Sequence, residues 1–164
     1  MGLDKSWIGR KGGRARIVIE RSAVTNFARA VKDFDPIYAD ESAAKAAGFD
    51  NIPAPPTFLI AASYSGTFAE QHPADSGPNP QVDVVGEYGR MGGLLLHGEQ
   101  RFTFERPIVV GDVLDLETEL VDTYEKTGGT GTMTFTITDT TYRDAKTGEL
   151  VATARNNFIN RRSN

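Results

Sequence analysis

The spacing of apolar positions changes period midway along this chain. Val24, Phe27, Ala28 and Val31 recur at helical spacing behind Ser22, a residue type that caps helix N-termini, and so predict an amphipathic helix over 22–32. Pro36 forbids its continuation. The stretch 39–49 predicts a second, short helix closed by Gly48. Residues 57–71 predict a longer helix, apolar around most of its circumference, as suits a helix wrapped by other structure. From residue 94 onward the period falls to two. Strands are predicted over 94–105, 112–125, 130–143 and 149–159, separated by the turn signals RPIVVGD, KTGG and DAKTGE. A short early strand, ARIVIE, is predicted at 15–20. The Gly-, Pro- and Asp-rich stretch 72–93 predicts a long loop.

Within 94–105, strict alternation puts Leu94, Leu96, Phe102 and Phe104 on one face. Leu95, His97, Glu99, Arg101 and Thr103 fall on the other, which makes His97 a residue of the polar face, solvated or at a dimer contact. The element order is a strand, helices, then antiparallel strands. One α+β domain over 1–164 satisfies it: an antiparallel sheet wrapped around a long central helix, preceded by a basic N-terminal arm at 1–13. Such a sheet leaves an edge or face open, so a dimer is expected.

Composition narrows the functions. The 164 residues carry a net charge of −4, which argues against a nucleic-acid binder. With no cysteine there is neither a disulfide nor a thiolate nucleophile. His72 and His97 are too far apart in the pattern to suggest a metal site, and no cofactor motif is present: TGGTGT at 127–132 lacks the Lys of a phosphate loop and reads as a hairpin turn. No apolar run is long enough to span a membrane, and no secretory leader pattern opens the chain. The opening MGLDKS does match the loose N-myristoylation pattern through Gly2 and Ser6. A cytoplasmic location is the expectation. Lys5, Arg10, Lys11, Arg14, Arg16 and Arg21 make the first stretch basic, which reads as a solvated face or as a contact for a ligand's phosphates.

Two stretches concentrate candidate chemistry. KDFDPIYAD at 32–40 sets Asp33, Asp35 and Asp40 around a proline, and NIPAPPTFL at 51–59 leads into the predicted central helix. Together with RFTFERPIVVGDVL at 101–114 and the run LHGEQ at 96–100, they resemble the MaoC-like (R)-specific enoyl hydratases and 3-hydroxyacyl-thioester dehydratases. The likeness extends over roughly residues 14–160 and is strongest for the N-terminal-domain variant. It implies a hot-dog fold, no cofactor, and an acyl-CoA or acyl-carrier-protein thioester as ligand. In that family an aspartate and a histidine serve as the acid/base pair, and a glycine N–H at the head of the central helix stabilises the thioester oxyanion.

The chain departs from this pattern at two positions. Asp33 stands where the family has its aspartate, but Tyr38 stands in the histidine's place. A phenol titrates near 10 and is a poor base at neutral pH. Pro56 stands in place of the glycine and has no N–H to offer; Pro55 replaces the neighbouring histidine. A missing acid/base partner costs roughly 10²–10⁴ in rate, and a missing oxyanion donor about 10²–10³. The resemblance therefore implies the supporting subunit of a heterodimeric dehydratase. There a catalytic hot-dog partner supplies the chemistry, and Pro55, Pro56, Thr57 and Phe58 line the substrate channel. Three other readings remain: an autonomous homodimeric hydratase using Asp33 with Tyr38 or His97, a hot-dog thioesterase using Asp33 or Glu99, and a non-enzymatic acyl-binding module.

Overall fold

The computed structural model describes residues 3–62, 77–129 and 131–162. Strands β1 (Lys11–Val18), β2 (Leu94–Phe104), β3 (Val113–Gly128), β4 (Gly131–Asp144) and β5 (Leu150–Arg162) form one antiparallel sheet in the order β1-β3-β4-β5-β2. The four later strands lie where the two-residue period places them. β1 begins four residues earlier than its apolar core suggests, because Lys11 and Gly12 already pair with Glu119 and Thr118 of β3. Asp4 caps a 3₁₀ turn over Lys5–Trp7, and Leu3 is buried with Leu120 and Tyr88.

Helix α1 (Arg21–Ala30) buries Val24 and Ala28; Glu20, not Ser22, takes the position before its first turn. Helix α2 (Glu41–Ala46) is shorter than 39–49. Asp40 caps it through the Ala43 amide at 2.8 Å, and Gly48 follows it at φ 92°. Of the predicted central helix at 57–71, Thr57 and Phe58 lie in a turn, Leu59–Ala62 form α3, and 63–71 lie outside the described residues. The expected loop at 72–93 is corrected over its second half, where α4 spans Pro80–Met91. Its signal is present in the sequence. Asn79 accepts from the Gln81 and Val82 amides, Pro80 occupies the first turn, and Pro80, Val84 and Tyr88 repeat every four residues on the buried side. Gly86 and Gly89, poor helix formers, mask it.

The helices cover the sheet's inner face. One apolar cluster joins Ile17, Ile19, Val24, Phe58, Leu114 and Val151; a second, at the other end, joins Leu3, Val84, Tyr88, Leu120 and Phe158. Between them the inner face is polar: Thr118, Thr136, Thr138, Thr140 and Asn156 are all buried. The outer face carries paired charges, including Arg16 with Asp115 at 2.6 Å and Arg155 with Asp139 at 2.7 Å.

A bulge in β2 corrects the face assignment made from alternation. His97 pairs with Phe158 and Glu99 with Asn157, so Gly98 is an extra residue that flips the phase of all that follows. A Cβ on Gly98 would sit 2.5 Å from the Ile159 Cδ1. Leu94 and Leu96 therefore share the outer face with Glu99 and Arg101. His97, Gln100, Phe102 and Phe104 point to the inner face, and His97 stacks on Phe158 with ring centroids 5.6 Å apart.

Candidate functional site

The segment carrying the aspartates is shaped by the way α1 ends. Lys32 adopts a left-handed conformation at φ 62°, and the Asp33 amide reaches back to the Ala28 carbonyl at 2.9 Å. This is the Schellman closure that glycine usually serves. Asp33 is turned out of the helix and accepts from the Asp35 amide at 3.3 Å; Asp35 in turn accepts from the Ile37 amide at 3.0 Å. With Pro36 in the first position, these contacts wind a 3₁₀ turn over Pro36–Tyr38. Thr25 donates to the Tyr38 carbonyl at 3.2 Å and pins the turn to α1.

Tyr38 is half-buried at the wall of a cavity of about 360 Å³, together with Ile37, Phe49, Pro53, Pro56, Phe104 and Ile108. Burial pushes its phenol above the ordinary value, and the negative charges of Asp33 and Asp35 push it further the same way. The phenol thus stays protonated at neutral pH, able to donate a hydrogen bond but not to remove a proton.

The opposite wall is built from two loops that pair with each other. The Ala54 amide donates to the Ile108 carbonyl and the Val110 amide to the Ile52 carbonyl, both at 2.8 Å. Arg106 clamps the second loop. Its guanidinium reaches Asp112 at 2.7 Å and Asp144 at 3.1 Å, and Asp112 also accepts from the Val109 amide at 2.9 Å. The turn signal RPIVVGD, an Arg and an Asp bracketing proline and glycine, foreshadows this clamp. Phe49, Phe104 and Ile108 join the wall only because the fold brings three distant segments together.

Of the residues singled out by sequence, Tyr38 and Pro56 meet at this cavity. Asp33 is exposed and stands outside the lining, close enough for its charge to act on Tyr38. Pro55 is buried, and Thr57 is exposed outside the lining. Phe58 is part of the core, with its ring edge-on to Phe27 at 5.6 Å. Glu99 lies far along β2 on the outer face. Phe34, beside Asp33, is 74% exposed. Among the described residues, no three His, Cys, Asp or Glu side chains gather into a metal-holding group, and no helix is long and apolar enough to cross a membrane.

Comparison with known proteins adds a frame to this geometry. The family described as the FAS1-like dehydratase domain region matches residues 6–154. A UPF0336 protein of Saccharopolyspora erythraea is 33% identical over 162 residues, covering 98% of this chain and 93% of that protein. In the solved C-terminally truncated HadBC (3R-hydroxyacyl-ACP dehydratase) complex from Mycobacterium tuberculosis, one chain superposes with a TM-score of 0.70 at 26% identity, over 97% of this chain and 99% of that one. A MaoC-like dehydratase shares the fold with a TM-score of 0.72 at 24% identity, over 95% of this chain and 42% of that one.

Proposed function

From the premise that the chain belongs to the FAS1-like dehydratase domain region family and has the hot-dog fold of MaoC-like dehydratases, we propose that it is the supporting subunit of a heterodimeric (R)-specific enoyl-thioester hydratase, or 3-hydroxyacyl-thioester dehydratase. A second hot-dog chain supplies the acid/base pair and the oxyanion N–H. This chain forms a wall of the acyl-thioester channel.

The observation that carries the reading is the meeting of Tyr38 and Pro56 at one apolar cavity. Hydration puts a hydroxyl on Cβ and a proton on Cα of the unsaturated thioester. It needs a base for the attacking water and a donor for the oxygen that gains charge. By the resemblance, Tyr38 takes the base's place with a phenol whose proton burial holds more firmly still, and Pro56 takes the donor's place without an N–H. What remains suits binding: an apolar pocket with few polar groups. The HadBC likeness supports the two-chain arrangement, since that structure is a 3R-hydroxyacyl-ACP dehydratase complex.

The test is turnover of a crotonyl thioester by the chain alone and by the chain with the partner it recruits from its source. The chain alone is expected to be inactive and the assembled pair active. In the pair, Asp33→Asn and Tyr38→Phe should each leave kcat/KM within about threefold, against the roughly 10²–10⁴ loss of a true acid/base group. Enzymatic turnover by the chain alone, abolished by Asp33→Asn, establishes the autonomous hydratase instead. Release of free thiol without hydration identifies a thioesterase.

A further inference from the structure

The outer face of the sheet carries an apolar row that the helices, packed on the other face, leave open. Residues opposite one another in neighbouring strands share a face, and Tyr124, Phe135 and Ile159 stand opposite one another across β3, β4 and β5. Each follows or precedes a buried inner-face residue of its own strand (Thr123, Thr136 and Asn160), so the row points outward. All three are half-buried, and the Tyr124 and Phe135 rings stack at 4.9 Å.

The two rows that flank it carry opposite charge. On the side of the β3–β4 turn lie Lys126, Met133 and Arg161. On the other side lie Asp122, Ile137 and Asn157, with Glu99 of β2 beside Asn157. Elsewhere on this face the charges pair within the chain, as Arg155 does with Asp139. Among the described residues Lys126, Arg161 and Asp122 form no ion pair. The Lys126 ammonium instead stands over the stacked rings, 5.2 Å from the Phe135 centroid. The acidic side also holds a dimple of about 120 Å³, lined by Glu99, Arg101, Ile137, Arg155 and Asn157. Across the row, Met133 stands out at 37% exposure.

We propose that this face docks a second copy of the chain, related by a half-turn about an axis that runs along the apolar row in the plane between the copies. That rotation lays the row on itself and exchanges its flanks, as a self-complementary two-fold contact requires. Lys126 of one copy then stands over Asp122 of the other, and Met133 over Ile137. Arg161 comes over Asn157, at the dimple whose rim carries the Glu99 carboxylate. Every opposite charge is met twice, once in each direction. A partner with one sign of charge would match one flank and be repelled by the other, which favours a second copy. The patch is roughly 15 Å across by strand and residue spacing, small for a stable interface, so a dissociation constant of the order of tens of micromolar is expected. The inference does not depend on the acyl-thioester reading: a hot-dog partner at the sheet's border leaves this face free, and two such pairs would then stack.

The experiment is sedimentation of the full chain, alone and assembled with its hot-dog partner, over a series from micromolar to sub-millimolar concentration at low and high salt. A concentration-dependent doubling of mass that weakens with salt is expected in both. Lys126→Asp and Asp122→Lys should each weaken the doubling about tenfold or more, since each sets like charges face to face at two symmetric places. Their combination exchanges the charges and should restore association to within about threefold of the original. Both side chains are exposed, so the urea midpoint of each variant should stay nearly constant. Doubling that is indifferent to both reversals overturns the proposal, and failure of the combined variant to restore it overturns the half-turn arrangement. A chain that never doubles leaves this face to some other occupant and overturns the proposal outright.

Discussion

Strands β1 and β2 both border the sheet, yet they present different surfaces to solvent. β1 runs for eight residues, and its register shifts between Gly12 and Ala15. The Gly13 amide donates to the Pro78 carbonyl at 2.9 Å, so the lead-in to α4 closes over part of this edge. Its outward side chains are cations paired with β3 acids: Lys11 with Glu119, Arg14 with Glu117, Arg16 with Asp115. β2 runs for eleven residues and shows Leu94 at 56% and Leu96 at 39% exposure. A long exposed apolar edge is a template for another strand, and charge, bulges and covering loops are the means by which proteins discourage such pairing. β1 uses all three. β2 has one bulge, and its apolar side chains stay open. The difference makes the β2 edge the expected docking side for the partner proposed above.

The sharpest way to break this comparison is to put charge on β2. Leu94→Glu combined with Leu96→Lys is expected to weaken partner association by at least about 100-fold, as seen by sedimentation or light scattering, which is the scale of losing a central interface contact. The urea midpoint of the isolated chain should stay nearly constant, because both side chains are exposed. Arg14→Glu on β1 should leave association within about twofold. If both edges respond alike, the assignment of the docking edge is wrong.

A mid-sized effect compares the two bulge glycines. A Cβ at Gly12 would lie 1.7 Å from the Pro78 carbonyl oxygen, a backbone atom that cannot move alone. Gly12→Ala should therefore cost about 3 kcal/mol in urea unfolding. At Gly98 the clash is with the far end of the Ile159 side chain, which has other rotamers, so Gly98→Ala should cost about 1 kcal/mol. A larger loss at Gly98 than at Gly12 would mean that β2, not β1, is the edge held by packing within the chain.

The smallest effect concerns the β1 charges. Arg14 and its partner Glu117 are both substantially exposed. Arg14→Ala should cost under about 1 kcal/mol, and the cost should shrink as salt is raised. A salt-insensitive loss would mean that Arg14 holds the edge by packing rather than by charge.

The legibility of the chain follows the range over which each signal acts. The alternation of β4 is clean because it lies between two strands, with Thr134, Thr136, Thr138 and Thr140 facing inward in strict succession. The same rule misplaced His97 because a bulge depends on how Gly98 meets Ile159, a residue of another strand. Helix α4 was hidden because Gly86 and Gly89 weaken its propensity, whereas its stability comes from Val84 and Tyr88 packing on the sheet. At the candidate site, Tyr38 and Pro56 were visible through a resemblance of motifs. The cavity they share was not, since its other wall is Phe104 and Ile108, about fifty residues further on.

The sequence by itself determined the α+β class and the run of antiparallel strands, because period and residue chemistry are local properties; that Tyr38 and Pro56 take the places of a base and a backbone donor rests on a resemblance of motifs. Only the tertiary structure decided which sheet face each β2 residue takes, and that Asp33 stands outside the pocket wall while Tyr38 lines it. Those facts depend on strand register and on contacts between segments far apart in the chain, and no local pattern carries them.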